Sequence, residues 1–250
     1  MKKEFLTLRW IGITLAVLIA VGVMIRLGFW QLDRLSQRRA LNARVSAQID
    51  APILDLNQGI AVDQLYDMEY HSVMLVGTFD FSQEVILRNQ VHGDQLGYAV
   101  ITPLKIQGSD YSVLVERGWI PLDQASPAQR SQFDEPGTVT VKGILRRSQT
   151  QPVFAGAVDP TLTPGQTRLD AWNMVNVDRI QQQVNLKLLP VYIQQAPDPS
   201  WTAMPYRSVS TPDLSDGPHM SYAIQWFLFA SVLGVGYPIF VRRKMRKKLQ

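Results

Sequence analysis

The chain has 250 residues, 46% of them hydrophobic, a formal charge of +4 and no cysteine, which leaves room for one moderate soluble domain plus membrane anchors. The lack of cysteine excludes disulfides, thiol redox chemistry and thiolate-held zinc or copper. The basic balance does not point to nucleic acid, because the charge sits at the ends. Met1 to Arg9 carries +2, the tail after Val241 carries +6, and Leu27 to Val241 carries −5. Such tails face anionic lipid, and the region between them is mildly acidic.

The first element is an apolar run from Trp10 to Trp30, without charge from Ile11 to Ile25. Tryptophan at both ends matches the aromatic belt of a membrane span. Arg26 lies roughly 6 Å from the outer end, within snorkelling reach of the headgroups. A cleaved signal peptide is the rival reading. The run is long for one, and Phe29-Trp30 stands where small residues precede a cleavage site, so an uncleaved anchor is favoured. Gln31 to Ile49 continues as helix, with Leu41, Val45 and Ile49 every four residues and Pro52 marking its end. Ile53 to Tyr70 reads as a short helix and loop.

From His71 the period falls to two. His71–Val76, Glu84–Asn89, Tyr98–Ile106, Tyr111–Trp119 and Thr138–Arg146 are predicted strands, separated by turn-like stretches such as His92-Gly93-Asp94 and Gln107-Gly108-Ser109-Asp110. Ser126 to Glu135 is a loop or short helix, and Gln151 to Thr167 an exposed excursion. Leu169–Val175 is a further strand. Val177, Ile180 and Val184 share a helical face capped by Asn176, and Leu188–Gln194 is the last strand. Ala196 to Pro218, with five prolines, is an extended linker. The pattern is an α+β membrane protein: one antiparallel β-rich domain, barrel or sandwich, over 31–218, between terminal transmembrane helices.

The second span, near 219–241, has no charged side chain from Ser221 to Val241, enough for roughly 31 Å of bilayer. Six basic residues in 242–250 then act as a stop-transfer signal. Arg34, Arg38, Arg39 and Arg44 outnumber the basic residues before the first anchor, which conflicts with this orientation. The C-terminal tail is the stronger determinant, so both tails (1–9 and 242–250) are expected in the cytoplasm and the domain outside. Small-residue stripes, Gly12-Ala16-Ala20 and Ala223-Ala230-Gly234, predict contact between the spans.

No catalytic motif is present: no G-x-S-x-G, H-E-x-x-H or phosphate loop. The expectation is a protein that is not an enzyme. Three stretches stand out. Leu27 to Arg34 places Trp30 and Arg34 one helical turn apart, either as an interfacial belt or, with Gln31, as a partner contact. Val113 to Pro121 puts Arg117 and Trp119 on one face of a strand, to bind a partner or anion or simply to stack at a hairpin end. On the second span His219, Tyr222, Ala223, Trp226, Ala230 and Tyr237 fall within about 40° of one line. That face can hold a flat macrocycle with His219 as axial ligand, or pack against the first anchor.

Together these stretches resemble the surfeit locus protein one family of cytochrome oxidase assembly factors. The resemblance runs through Gly28-Phe29-Trp30-Gln31 with Arg34, Gly77-Thr78-Phe79, Leu87-Arg88-Asn89, Thr102-Pro103-Leu104, Leu114-Val115 with Arg117-Gly118-Trp119-Ile120-Pro121, Gly143-Ile144-Leu145, and His219-Met220-Ser221-Tyr222-Ala223 with Gln225-Trp226. Glu116, where Asn is usual, and Asp216-Gly217-Pro218 depart from the pattern. The resemblance implies a bacterial inner-membrane protein with a periplasmic domain that assists maturation of cytochrome c oxidase at the haem a step. Its implied partners are oxidase subunits, the haem-bearing one above all, and haem a synthase, with membrane lipid and no nucleic acid. On this reading His219 is the transient ligand of haem iron, Tyr222 and Trp226 flank the ring, and Arg34 and Arg117 pair with the propionates. Trp30, Gln31 and Trp119 remain candidate partner contacts. The competing reading is a two-anchor scaffold that binds no cofactor and holds the subunits of a membrane complex together.

Overall fold

The computed structural model describes residues 8–59, 61–151, 158–163 and 165–247. In chain order it has helix α1 (Leu8–Ile49), strands β1 (Leu54–Asp55), β2 (Ser72–Phe79), β3 (Val85–His92), β4 (Gln95–Ile106) and β5 (Ser112–Pro121), and helix α2 (Pro127–Arg130). Then come β6 (Thr138–Arg147), β7 (Ala171–Trp172), α3 (Val177–Gln181), β8 (Leu188–Gln195) and α4 (His219–Lys247). Two compact units result: Val45–Pro212, and Met1–Arg44 with Asp213–Gln250. Residues 31–44 and 213–218 thus group with the terminal helices rather than with the β-rich domain.

In Val45–Pro212 a barrel closes. β2 pairs with β6, β6 with β8, β8 with β5, β5 with β4, and β4 returns to β2. Five strands in this order make a small Greek-key barrel of the OB kind, an architecture that by itself assigns no ligand. Alternate residues point inward: Val73 and Leu75 from β2, Val113 and Val115 from β5, Val141 and Leu145 from β6, Val191 and Ile193 from β8. The residues between them on β5 and β8, Leu114 and Tyr192, face a second core closed by Trp172, Val175, Val177 and Ile180. β5 is buried at every position but Pro121. A strand covered on both faces reads as an unbroken apolar run, as Val113-Leu114-Val115 does. Each fully buried Leu, Ile or Val stabilises by about 1.5–3 kcal/mol, so the two cores replace the missing disulfides.

Several expectations are refined. The fold is a barrel, not a sandwich, and it is not wholly antiparallel: β8–β5, β1–β2 and β3–β7 run parallel. β8 runs antiparallel to β6 and parallel to β5, which it reaches only after β6 and the long crossing from Arg147 to Leu188. The strand expected over Leu169–Val175 shortens to Ala171–Trp172, because Leu169, Trp172 and Val175 turn into the second core instead of extending a ladder. The cap of α3 is as expected, Asn176 accepting from the Arg179 amide. Within the excursion Gln151–Thr167, residues 152–157 and 164 lie outside the described residues; Val158 is exposed, but Asp159 is buried. The proline-rich linker is pinned to the barrel. The Ala196 amide donates to Lys142 O, the Ser210 amide to Gln194 Oε1, and Tyr206 bridges to Trp119.

Two buried carboxylates, Glu116 and Asp159, have no ion-pair partner among the described residues. Glu116 is 9% exposed, and both its oxygens accept from Gln194 Nε2 at 3.2 Å. Burial pushes its carboxyl above the ordinary range, against the Gln194 hydrogen bond and the field of Arg146. A raised folded-state value gives stability fully present below the unfolded value, about 4.3, and lost as pH rises through the folded one. Glu116→Gln is expected to raise stability at pH 7 by about 1 kcal/mol and to flatten the decline above pH 5. Urea denaturation across pH 4–8 checks this; identical slopes in the two proteins would contradict it. Glu84 and Asp134 are also raised by burial, so only the difference between the proteins reports on Glu116.

The unit of terminal residues contains two helices long and apolar enough to cross a membrane, with mean hydropathy 2.3 and 1.7. They meet along a seam. Ala223 and Ala230 are buried in it, Gly234 lies beside Val21, and Thr14 Oγ1 is 2.6 Å from the Tyr237 hydroxyl. The α4 stripe therefore packs as expected, but its counterpart on α1 does not. Gly12 faces open space and Ala16 is exposed. The close approach falls at Gly28, where a Cβ would stand 2.7 Å from the Phe227 ring.

Candidate functional site

The seam carries a lock at the start of α4. Gln31, Leu35, Arg38 and Asn42 follow each other at spacings of four, three and four, one face of a helix. Asn42 Nδ2 donates to Leu214 O at 2.6 Å and to Ser215 O at 3.2 Å. Arg38 donates to Asp213 O at 2.6 Å and to Ser215 O at 3.1 Å. Arg39 pairs with Asp216 at 2.8 Å. Hydrogen bonds from Ser215 hold the Asp213 carboxyl below its ordinary range. These contacts are exposed and each contributes little, but together they fix residues 213–216 against α1 and so fix where α4 begins.

His219 is the first residue of α4 and half-buried. Its Nδ1 lies 2.9 Å from Gln31 Oε1. An amide oxygen only accepts, so Nδ1 carries the proton, and in the neutral ring the lone pair falls on Nε2. Nε2 has no hydrogen-bond partner among the described residues. This is the arrangement of a ligating histidine whose second nitrogen is held by an outer group. Among the described residues no three His, Asp or Glu side chains gather to hold a bare metal ion. An iron already held by a macrocycle needs only axial ligation, so the residues present fit a haem and not a free ion. Below His219, Tyr222 is 46% exposed and Trp226 half-buried, its ring edge-on to Phe229 at 6.2 Å.

The structure thus brings together His219 and Gln31, which the sequence offers as separate candidates. Arg34 belongs to the same unit, one turn beyond Gln31. It is exposed, bonded to Gln37 at 3.1 Å and without an ion pair among the described residues. Trp30 is 45% exposed, beside Phe29, whose ring meets Phe227 edge-on at 5.4 Å.

Arg117 and Trp119 belong to the other unit and are enclosed there. The Arg117 side chain is 0% exposed. Its guanidinium pairs with Glu84 and Glu135, each at 3.1 Å, donates to Phe133 O, and lies over the Phe79 and Phe81 rings. Glu84 also accepts from Thr102 at 2.6 Å and pairs with Arg130 at 3.2 Å, while Glu135 pairs with Arg207 at 3.0 Å. Only Nε of this guanidinium lacks a hydrogen-bond partner, and with the side chain wholly buried it is out of reach of a propionate. Trp119 is 5% exposed; its Nε1 donates to Gln90 O at 3.2 Å and its ring stacks at 6.1 Å on Tyr206, which stacks at 4.7 Å on His92. The Arg117–Trp119 stack foreseen at this hairpin end does not form: Trp119 stacks on Tyr206, and Arg117 lies over Phe79 and Phe81. Sequence reasoning missed Glu84, Glu135 and Arg130, since nothing local marks an acid as the partner of an arginine 33 or 18 residues away.

The chain matches the family model described as "SURF1 family" over residues 18–231. It is 28% identical over 243 residues to a "SURF1-like protein" of Monosiga brevicollis, covering 93% of this chain and 88% of that protein. It is 26% identical over 240 residues to one of Rickettsia bellii, covering 94% and 93%. It is also 28% identical over 120 residues to the "Cytochrome oxidase assembly protein SHY1" of Saccharomyces cerevisiae, covering 48% of this chain and 31% of that protein.

Proposed function

Because the chain belongs to the SURF1 family, we propose that it is a membrane-anchored assembly factor for cytochrome oxidase and that His219 holds haem a in passage to the haem-bearing subunit. The printed name of the yeast relative supports the first half. The second half is carried by one observation: the His219 imidazole is held through Nδ1 by Gln31, with Nε2 left without a hydrogen-bond partner among the described residues. Gln31 sets the tautomer and Tyr222 and Trp226 flank the ring. Arg34, with no acid partner, offers its guanidinium to a propionate. Arg117 takes no part, and Trp119 supports the barrel instead of a partner. When bound, the haem would supply the redox chemistry of the oxidase; this chain's residues would only hold and orient it. Trp30 and Phe29, both exposed, are left for lipid, an oxidase subunit or the haem a synthase. Both tails are placed in the cytoplasm of a bacterial cell and Val45–Pro212 in the periplasm, by the charge of the C-terminal tail.

One experiment tests the reading. The full chain and His219→Ala, each fused after Gln250 to a reporter active only outside the cytoplasm, are expressed in cells lacking other copies. The reporter is expected to be silent in both. The purified wild type is expected to show a Soret band with added haem a, and His219→Ala to bind at least about 100-fold more weakly. The haem a content of the oxidase should fall in the variant. A colourless wild type that still supports the oxidase would favour a cofactor-free scaffold, and an active reporter would invert the topology.

A further inference from the structure

The seam between α1 and α4 ends on a held cation. Gly28 lies against Phe227, Val21 against Gly234 and Thr14 against Tyr237, so the helices run antiparallel and the α4 partner advances as the α1 residue recedes. The next step of this register is Trp10 with Lys244. The Lys244 Nζ lies 5.0 Å from the centre of the Trp10 ring and 5.8 Å from that of Phe240. One aromatic ring from each helix thus keeps the ammonium at the seam instead of letting it swing in solvent. From His219 to Lys244 α4 climbs roughly 38 Å, against about 30 Å for the hydrocarbon core of a bilayer. With His219 at one interface, Lys244 stands among the headgroups of the other.

The charge at this end is uncompensated. Arg9 precedes Trp10, and Arg242, Arg243 and Arg246 flank Lys244 in the chain. All of these basic side chains are exposed, and none has an ion-pair partner among the described residues. No Asp or Glu occurs in 8–32 or in 219–247, so neither helix supplies a counterion here. We propose that Lys244, with Arg9 and Arg243, holds the phosphate of one anionic phospholipid at the Trp10 end of the seam, so that a single lipid is bound in place rather than drawn diffusely to a charged tail. An ammonium offers three donors and each guanidinium a planar fork, which lets one phosphate accept from both helices at once. The Trp10 ring fixes Lys244 at the depth where indoles and headgroups meet. Arg242 and Arg246 are each two residues from Lys244, about 160° round the helix, and act on a lipid at the seam only through their averaged field. The site needs the two spans alone. It is independent of the His219 reading and of the side on which the tails lie.

The test titrates the delipidated full-length protein, in mild detergent, with dioleoyl phosphatidylglycerol and with dioleoyl phosphatidylcholine, and counts bound lipids by native mass spectrometry. The zwitterionic lipid carries the same phosphate beside an ammonium group of its own, which competes for it. The first phosphatidylglycerol is therefore expected to bind about 10-fold tighter, the size of one charge-assisted hydrogen bond. The ratio should fall to about 2 or below in Lys244→Met, which keeps the length of the side chain without its charge, and in Trp10→Leu, which keeps every charge but releases the lysine. It should survive Arg242→Met and Arg246→Met. Equal affinities in the wild type would overturn the site. A ratio that falls alike in all three charge variants would overturn it too, by returning the preference to the averaged charge of the tail. Release of the bound lipid by equimolar inorganic phosphate would assign the cations to a free anion and overturn the lipid. Where Trp10→Leu fails to fold, the contrast of Lys244→Met with Arg246→Met still decides.

Discussion

Arg117→Ala is expected to cost the domain Val45–Pro212 about 3 kcal/mol. The change removes two ion pairs, a hydrogen bond to Phe133 O and the contact with the Phe79 and Phe81 rings. Breaking a buried pair from one side typically costs about 3–5 kcal/mol, because it strands the remaining charge. Here neither acid is stranded alone, since Glu84 keeps Arg130 and Glu135 keeps Arg207, which argues for the lower end. Arg117→Lys should recover little: an ammonium cannot span two carboxylates and a carbonyl with the flat fork that a guanidinium presents. Chemical denaturation followed by tryptophan fluorescence measures both variants. A loss below about 1 kcal/mol for Arg117→Ala would mean that the network is structurally idle.

Gly118→Ala, one residue on, should be equally damaging for a different reason. Gly118 has φ +137°, a region that residues with a side chain rarely adopt, and a Cβ would stand 2.7 Å from Tyr206 O and 2.8 Å from Tyr206 C. Those are backbone atoms of the segment that pairs with Trp119 in both directions at 2.9 Å, so they cannot swing aside without breaking the bridge. Strain of this kind costs about 1–3 kcal/mol, and displacement of Tyr206 adds to it, for an expected total of about 3 kcal/mol. Because Trp119 would lose its stacking partner, its emission should shift to the red and a protease should cut near Tyr206. A variant with unshifted emission and unchanged protease resistance would refute the account.

The strands were legible because alternate burial writes a period of two, as at Val73 and Leu75 of β2, or because burial on both faces writes an unbroken apolar run, as at Val113 to Val115 of β5. The helices were legible from apolar length and from Pro52. Closure of the barrel was not, because the parallel place of β8 beside β5 depends on a partner reached only after the long crossing. The candidate site was half legible. His219 stood out as a lone imidazole at a span boundary, and Gln31 belonged to another stretch. Their hydrogen bond joins residues 188 apart, and no local pattern can announce it. For Arg117 and Trp119 the residue types left both binding and stacking at a hairpin end open. Burial decided for structure, because Glu84 and Glu135 from two other segments and the linker residue Tyr206 close over them.

The enclosure of Arg117-Gly118-Trp119 also decides how damaging variants in this protein should be sorted. A substitution in that tripeptide acts on folding, so its phenotype should follow protein abundance: the chain is cleared by proteases, and less of it reaches the membrane. A substitution at His219 or Gln31 touches the exposed lock between two helices and leaves the barrel whole. Its phenotype should appear at normal abundance. Two lesions with the same respiratory outcome would then call for opposite remedies, since a stabilising second-site change or a lower growth temperature restores the first kind and does nothing for the second.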